Sequence, residues 1–201
     1  MAQSLSSNHE KDSGNLEATD IGSGAEHARR YRAVQPESAG QLISLHDFGI
    51  LRDRCDLGTI VATSGCFDPI HFGHGRSLLA ARELGDTLVV IVNGDEYLAN
   101  KKNVPFLDLQ TRCQNLCYMK GVDFVIPYEV SGDTTVIGAL EVIRPHVFAK
   151  GGDRSSPDSV PEVAILKTFG ARMEFGVGGS AKDVSSSDIL RSYRLRIGLS
   201  E

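Results

Sequence analysis

The feature that most constrains this chain is a rhythm that starts near residue 59. Short apolar runs of strand length alternate with segments of helical spacing. The runs are TIVAT at 59–63, TLVVIVN at 87–93, DFVIPY at 123–128, HVFAK at 146–150 and RMEFGV at 172–177. TLVVIVN in particular is fully apolar and too short for an independent helix of typical length. Between and after them, HGRSLLAARELG (with Gly85 near its C-cap), DLQTRCQNLCYMKG, TTVIGALEVIR, VPEVAILKTFG and SSSDILRSYRLRI read as helices. The fold class this predicts is α/β: a Rossmann-like five-stranded parallel sheet with helices on both faces. Leu42, Leu45, Phe48 and Leu51 recur at helical spacing and predict one more helix beside the sheet. In such sheets ligands bind beyond the carboxyl ends of the strands, where strand order reverses. Chemistry-bearing residues are therefore expected directly after strands.

The organisation is one folded unit with a tail. Residues 1–40 are rich in Ser, Glu, Gly and Asn and carry no lasting apolar period, so they are expected to form a disordered tail. Residues 41–201 form the domain. The start lacks a basic stretch followed by an apolar core, and no window reaches membrane-spanning length, so a cytoplasmic location without membrane contact is expected. A net charge of -5 argues against a surface that wraps nucleic acid, because such binding rests on many Lys and Arg contacts to phosphates. A small anion needs only a local positive site. The cysteines, Cys55, Cys66, Cys113 and Cys117, form no zinc-spaced cluster, and Cys113 and Cys117, one helical turn apart, read as a buried helix face.

The stretch GCFDPIHFGHG, Gly65–Gly75, follows the first strand. A helix beginning near His71 presents unpaired backbone N–H groups and the positive end of its dipole to an anion. His71 and His74, at i and i+3, fall on one face of its first turn. Gly65 allows close backbone approach, and Gly73 leaves room over the turn. Either histidine alone is better read as a cap or a packed side chain. Together, with glycines between strand and helix, they predict a phosphate site.

These residues resemble the HxGH signature of the nucleotidylyltransferase superfamily, with its cytidylyltransferase-like fold. The resemblance implies that His71 and His74 contact a nucleoside triphosphate and stabilise the transition state at its α phosphate, with Cys66 and Phe67 lining the cradle beside Gly65. In NGDEYLANKKNVPFLDLQTR, Lys101, Lys102, Pro105 and Arg112 resemble the family's lysine, proline and arginine pattern. Cations are needed there because a triphosphate meeting a phosphate monoester concentrates negative charge. Lys101 and Lys102 are both candidates. KGGD, with Lys150, Gly151 and Asp153, resembles the heptose-1-phosphate adenylyltransferase (ADP-heptose synthase) branch and is expected to hold the nucleotide. Ser185, Ser186 and Ser187 are natural N-caps, and they also resemble the family element whose hydroxyls and helix N-terminus hold the β and γ phosphates. Asp68, Asn93 and Asp95 are expected on the side of the acceptor substrate.

The resemblance runs from about Leu42 to Tyr193, with departures. Ser64 stands where relatives often carry Asn, Gly94 where Ser is common, Val104 where Arg usually precedes Pro105, and Leu190 at the expected basic position, with Arg191 one step later. Lys182 or the GVGG turn could supply the missing charge. The reaction implied is transfer of a nucleotidyl group from a nucleoside triphosphate to a small phosphorylated substrate, with pyrophosphate release. ATP and a sugar 1-phosphate are the first reading. CTP with glycerol phosphate, phosphoethanolamine or a similar acceptor is the alternative, and a non-catalytic nucleotide-binding module is a third. A tRNA-synthetase fragment is disfavoured, because no KMSKS-like loop accompanies the histidines. Magnesium is expected to ride on the triphosphate without a dedicated protein metal site, and relatives suggest a homodimer.

Overall fold

Gly40 is where the chain joins the folded body: its N–H donates to Cys117 O at 2.7 Å and its backbone packs against Val122. The computed structural model describes residues 39–102, 104–151, 160–179 and 184–198. The tail expected over residues 1–40 therefore lies outside the described residues, apart from its last two positions.

Six parallel strands form one sheet: β1 (Gln41–Leu42), β2 (Ile60–Gly65), β3 (Thr87–Asn93), β4 (Phe124–Tyr128), β5 (Val147–Gly151) and β6 (Arg172–Val177), in the order β1-β4-β3-β2-β5-β6. The helices are α1 (Leu45–Arg54), α2 (Phe72–Arg82), α3 (Asp95–Lys102), α4 (Leu109–Cys117), α5 (Ile137–Ile143), α6 (Val163–Thr168) and α7 (Ser186–Arg196). The expectation of five strands is corrected to six, because Gln41 and Leu42 pair in parallel with Phe124 and Val125 at the sheet edge. A two-residue strand has no alternation to read, and Leu42, expected in the first helix, belongs to it. That helix begins only after Ser44, whose hydroxyl caps Asp47 N at 3.0 Å. Helix α3 was also absent from the sequence reading.

β3 shows why its sequence is apolar throughout. Leu88, Val90 and Val92 pack with Leu78 and Ala81 of α2 and with Cys113, Leu116 and Cys117 of α4. Val89 and Ile91 pack on the opposite face with Phe48 of α1, Leu140 and Ile143 of α5 and Leu166 of α6. Alternate residues serve two cores, as a sheet covered on both faces requires. The cysteines at 113 and 117 are indeed a buried helix face, and burial pushes the Cys113 thiol up to about 12.

Chain order runs outward from β2 through β3 to β4, then crosses to the far side of β2 for β5 and β6. The reversal lies between β2 and β5, whose register sets Ala62 beside Phe148 and Thr63 beside Ala149. A register irregularity pairs Ala149 with Glu174 but Gly151 with Val177, so β6 carries an extra residue at its end. The bulge turns the chain at Gly178 onto α2.

Candidate active site

The cleft opens at the carboxyl ends of β2 and β5, where this topology places ligands. It has two lobes, of about 370 and 380 Å³, which share Ser64, Gly65, Cys66, Lys101 and Gly151 as a common floor and wall.

The first lobe is built by two helix N-termini. His71 is the N-cap of α2, and its Nδ1 accepts from Gly73 N at 3.2 Å. His74 Nδ1 accepts in turn from His71 N at 3.3 Å. An imidazole that accepts at Nδ1 carries its proton at Nε2, so both neutral rings are set as Nε2–H donors. The rings stack with centroids 3.9 Å apart, which makes them one unit. Phe67 meets His74 edge-on at 5.0 Å. The room above the turn depends on glycine, since a Cβ on Gly73 would come within 3.0 Å of His71 Cε1. Facing this turn is the start of α7. Ser185 caps that helix by accepting from Asp188 N at 3.1 Å, Ser186 donates to Pro69 O at 2.9 Å, and Ser187 completes the wall. The Ser186 bond pins one helix start against the other, 117 positions apart in the chain. Two positive dipole ends thus converge on one lobe.

Lys101 lines both lobes, with its ammonium 5.8 Å from the Tyr97 ring. The Lys102 side chain is outside the described residues, as are Asp153 and Lys182. Lys150 is buried at the end of β5, where its Nζ donates to Ser64 Oγ at 3.1 Å and lies 4.6 Å from the Phe148 ring and 3.8 Å from Glu162 Oε1. Ser64 is therefore engaged with this lysine. Asn93 lines the second lobe and reaches Cys66 Sγ at 3.8 Å.

Arg112 and Asp68 are turned into the protein, and Asp95, partly open to water, pairs with Arg112. Arg112, 1 % exposed, donates to Leu107 O at 3.1 Å, Cys66 O at 2.7 Å and Asn93 O at 2.8 Å, and pairs with Asp95 Oδ1 at 2.6 Å. It ties the ends of β2 and β3 together beneath the cleft and is not among the residues lining it. Asp68, fully buried, accepts from the backbone N–H groups of Phe106 and Leu107 at 2.8 and 2.9 Å, which fixes the loop carrying Pro105. Asp95 also accepts from Leu109 N at 3.1 Å, at the start of α4. Arg191 lies on the outer side of α7, 3.5 Å from Asp188. Sequence reasoning missed Glu162 and the pair Thr134 and Thr135, which line the second lobe. A lone Glu inside VPEVAILKTFG gave no motif to find it by.

A parallel sheet whose switch point carries two coupled histidines and two converging helix starts defines a nucleotidyltransferase. Residues 62–192, more than half of the 201, match the family model described as cytidylyltransferase-like, and the chain belongs to that family. It is similar to the bifunctional protein HldE of Alcanivorax borkumensis, 37% identical over 165 residues, or 81% of this chain and 32% of the relative. It is also similar to HldE of Streptomyces coelicolor, 40% identical over 123 residues, covering 60% of this chain and 26% of that one. HldE of Methylococcus capsulatus is 44% identical over 114 residues, 55% of this chain and 24% of the relative. The chain thus spans roughly a quarter to a third of these relatives. Among solved structures, the lipopolysaccharide core biosynthesis protein of Thermoplasma volcanium superposes with a TM-score of 0.50 at 25% identity, over 59% of this chain and 93% of that one. Pantoate-beta-alanine ligase of Francisella tularensis, at 14% identity and a TM-score of 0.50 over 78% of each chain, shares the fold.

Proposed function

We propose that the chain transfers an adenylyl group from ATP to a sugar 1-phosphate of the heptose type, giving an ADP-sugar and pyrophosphate. The observation that carries this reading is the stacked pair His71 and His74, with both Nδ1 atoms committed to backbone N–H groups, in a lobe walled by the start of α7. Such a pair donates from Nε2 to an oxyanion without having to reorient, which is the form of electrostatic stabilisation that phosphoryl chemistry rewards most.

In the reaction, an oxygen of the acceptor phosphate attacks the α phosphorus. The bond from that phosphorus to the α–β bridging oxygen breaks, and its electron pair leaves with pyrophosphate. The attacking phosphate is already anionic, so no general base is required. His71 and His74 stabilise charge on the α phosphate and the departing oxygens, while Ser185–Ser187 and the α7 N-terminus receive the β and γ phosphates. Lys101, between the lobes, offsets the charge where the two substrates meet. Magnesium enters with the triphosphate as part of the substrate. The sugar acceptor and ATP are supported by the likeness to the HldE proteins and by the KGGD sequence. We further propose that the working form is a homodimer.

Pyrophosphate release measured with ATP and with CTP, against mannose 1-phosphate, heptose 1-phosphate, glycerol 3-phosphate and phosphoethanolamine, tests the proposal. Release with ATP and a sugar 1-phosphate is expected. Release only with CTP and a non-sugar phosphate overturns the substrate assignment, and nucleotide binding without release for any acceptor overturns the enzymatic one.

A further inference from the structure

The second lobe holds a carboxylate oxygen that is not accounted for. Glu162 is 5 % exposed and lines this lobe, with Oε1 lying 3.8 Å from Lys150 Nζ. Its other oxygen, Oε2, is buried without a hydrogen-bond partner. A buried carboxylate oxygen left unpaired is costly, and because the Glu162 side chain lines this lobe, rotation of its carboxylate would present that oxygen to a donor carried by a ligand there.

The position in the reaction narrows what that donor is. In-line displacement puts the attacking and leaving oxygens on opposite sides of the α phosphorus. The pyrophosphate side is the first lobe, with its histidines and helix starts, so the acceptor must approach from the second. A phosphate cannot sit against Glu162, because the charges repel and a phosphate dianion has no proton to donate. The acceptor's phosphate therefore belongs near Lys101 and the shared floor, and its non-phosphate part reaches Glu162. Of the remaining polar lining of that lobe, Asn93, Tyr97 and Thr134 can both donate and accept, as a polyhydroxylated ligand requires, whereas the Thr135 hydroxyl is engaged with Asp133 and Ile137 N.

Resting on the nucleotidyl-transfer reading above, we propose that Glu162 is a specificity-determining residue that accepts a hydrogen bond at Oε2 from a hydroxyl of the acceptor's sugar ring, so that this chain selects polyols over simple alkyl phosphates. Lys150 holds the carboxylate in place from the other side.

The test uses the full chain and its isosteric Glu162→Gln variant, with mannose 1-phosphate as the probe. Two readouts are taken: calorimetric affinity for the sugar phosphate in the presence of a non-hydrolysable ATP analogue, and the separate KM values for sugar phosphate and ATP. The expected result is a loss of about tenfold or more in sugar-phosphate affinity, with ATP affinity within about twofold of wild type. A parallel series with wild type and single-deoxy mannose 1-phosphates is expected to contain one analogue that binds about tenfold more weakly and is no longer sensitive to Glu162→Gln. That series keeps the test valid should the variant fold poorly. An altered ATP affinity with an unchanged sugar affinity overturns the inference and makes Glu162 a nucleotide contact. Equal binding of every deoxy analogue by wild type, or no binding of mannose 1-phosphate at all, also overturns it. If the sugar phosphate binds in a Glu162-dependent way but pyrophosphate is never released, the inference stands and the reaction assignment fails.

Discussion

The Arg112 guanidinium joins four acceptors: the carbonyl after β2, the carbonyl at the end of β3, the Asp95 carboxylate at the start of α3 and the Leu107 carbonyl before α4. Cys66 and Asn93 line the cleft, so Arg112 positions its floor from beneath. Its replacement by methionine leaves three carbonyl oxygens and a carboxylate without their donor. Asp95 is partly open to water, which softens the loss, and we expect a destabilisation of about 2–3 kcal/mol. Urea unfolding of Arg112→Met checks this. An unchanged midpoint together with abolished turnover would contradict the positioning role and point to direct contact with substrate. Asp68 belongs to the same group, since both of its oxygens are taken by loop N–H groups. These charges were visible in the sequence as residues placed after strands. Which way they face was not, because a buried ion pair and a substrate-facing charge use the same residue types and differ only in the neighbours that the fold supplies.

At the scale of elements, the cleft depends on how β6 and α7 close against α2. Gly178 has φ +86, and a Cβ there would sit 2.6 Å from Ser77 Cα and 2.8 Å from Ser77 N, both backbone atoms that cannot give way. Gly179, with φ +100, has nothing within 4 Å of its Cβ position. Gly178→Ala therefore combines backbone strain with a clash and should cost about 2–4 kcal/mol while weakening nucleotide binding. Gly179→Ala meets the strain alone, about 1 kcal/mol. Thermal unfolding of the two variants side by side checks the difference, and equal losses would show that the contact with α2 contributes nothing. Helix α4 provides a pH-dependent counterpart. Backbone and hydroxyl hydrogen bonds from Thr111 hold the N-cap Asp108 carboxyl below its ordinary value of 3.8. A carboxyl whose folded pKa is lowered contributes stability above its unfolded pKa and loses it as pH falls through the folded one. The stability gap between wild type and Asp108→Ala should thus be full at neutral pH and close below about pH 4. A gap that persists at pH 2 would contradict the cap. The strands β2–β5 were legible because each is a largely apolar run closed by glycine or charge, and β6 because RMEFGV follows a helical segment in the same alternation. The edge strand β1 was not, because its two residues are held by pairing with β4 rather than by a pattern of their own. Nor was α3, whose charged sequence DEYLANKK buries Leu98 deeply but shows no apolar period.

Across the whole molecule, a chain of net charge -5 gathers positive groups and helix starts at one edge of the sheet. The two helix starts, the imidazole pair, Lys101 and Lys150 all meet at the reversal between β2 and β5. This convergence was foreseeable, because the alternating pattern demands a parallel sheet and such a sheet has one binding edge. The division of the cleft into a lobe of helix starts and a lobe of hydroxyls and Glu162 is not legible in the sequence, since it rests on contacts between residues far apart in the chain. The central claim is that the coupled imidazoles make the first lobe a catalytic phosphate site. The most direct measurement is pyrophosphate release from ATP with a sugar 1-phosphate, run side by side for wild type, His71→Ala and His74→Ala at saturating substrate. Turnover by wild type and a fall in kcat of about 10²–10³ for each variant are expected, the loss that follows removal of an oxyanion donor. Variants that keep the wild-type kcat would contradict that claim.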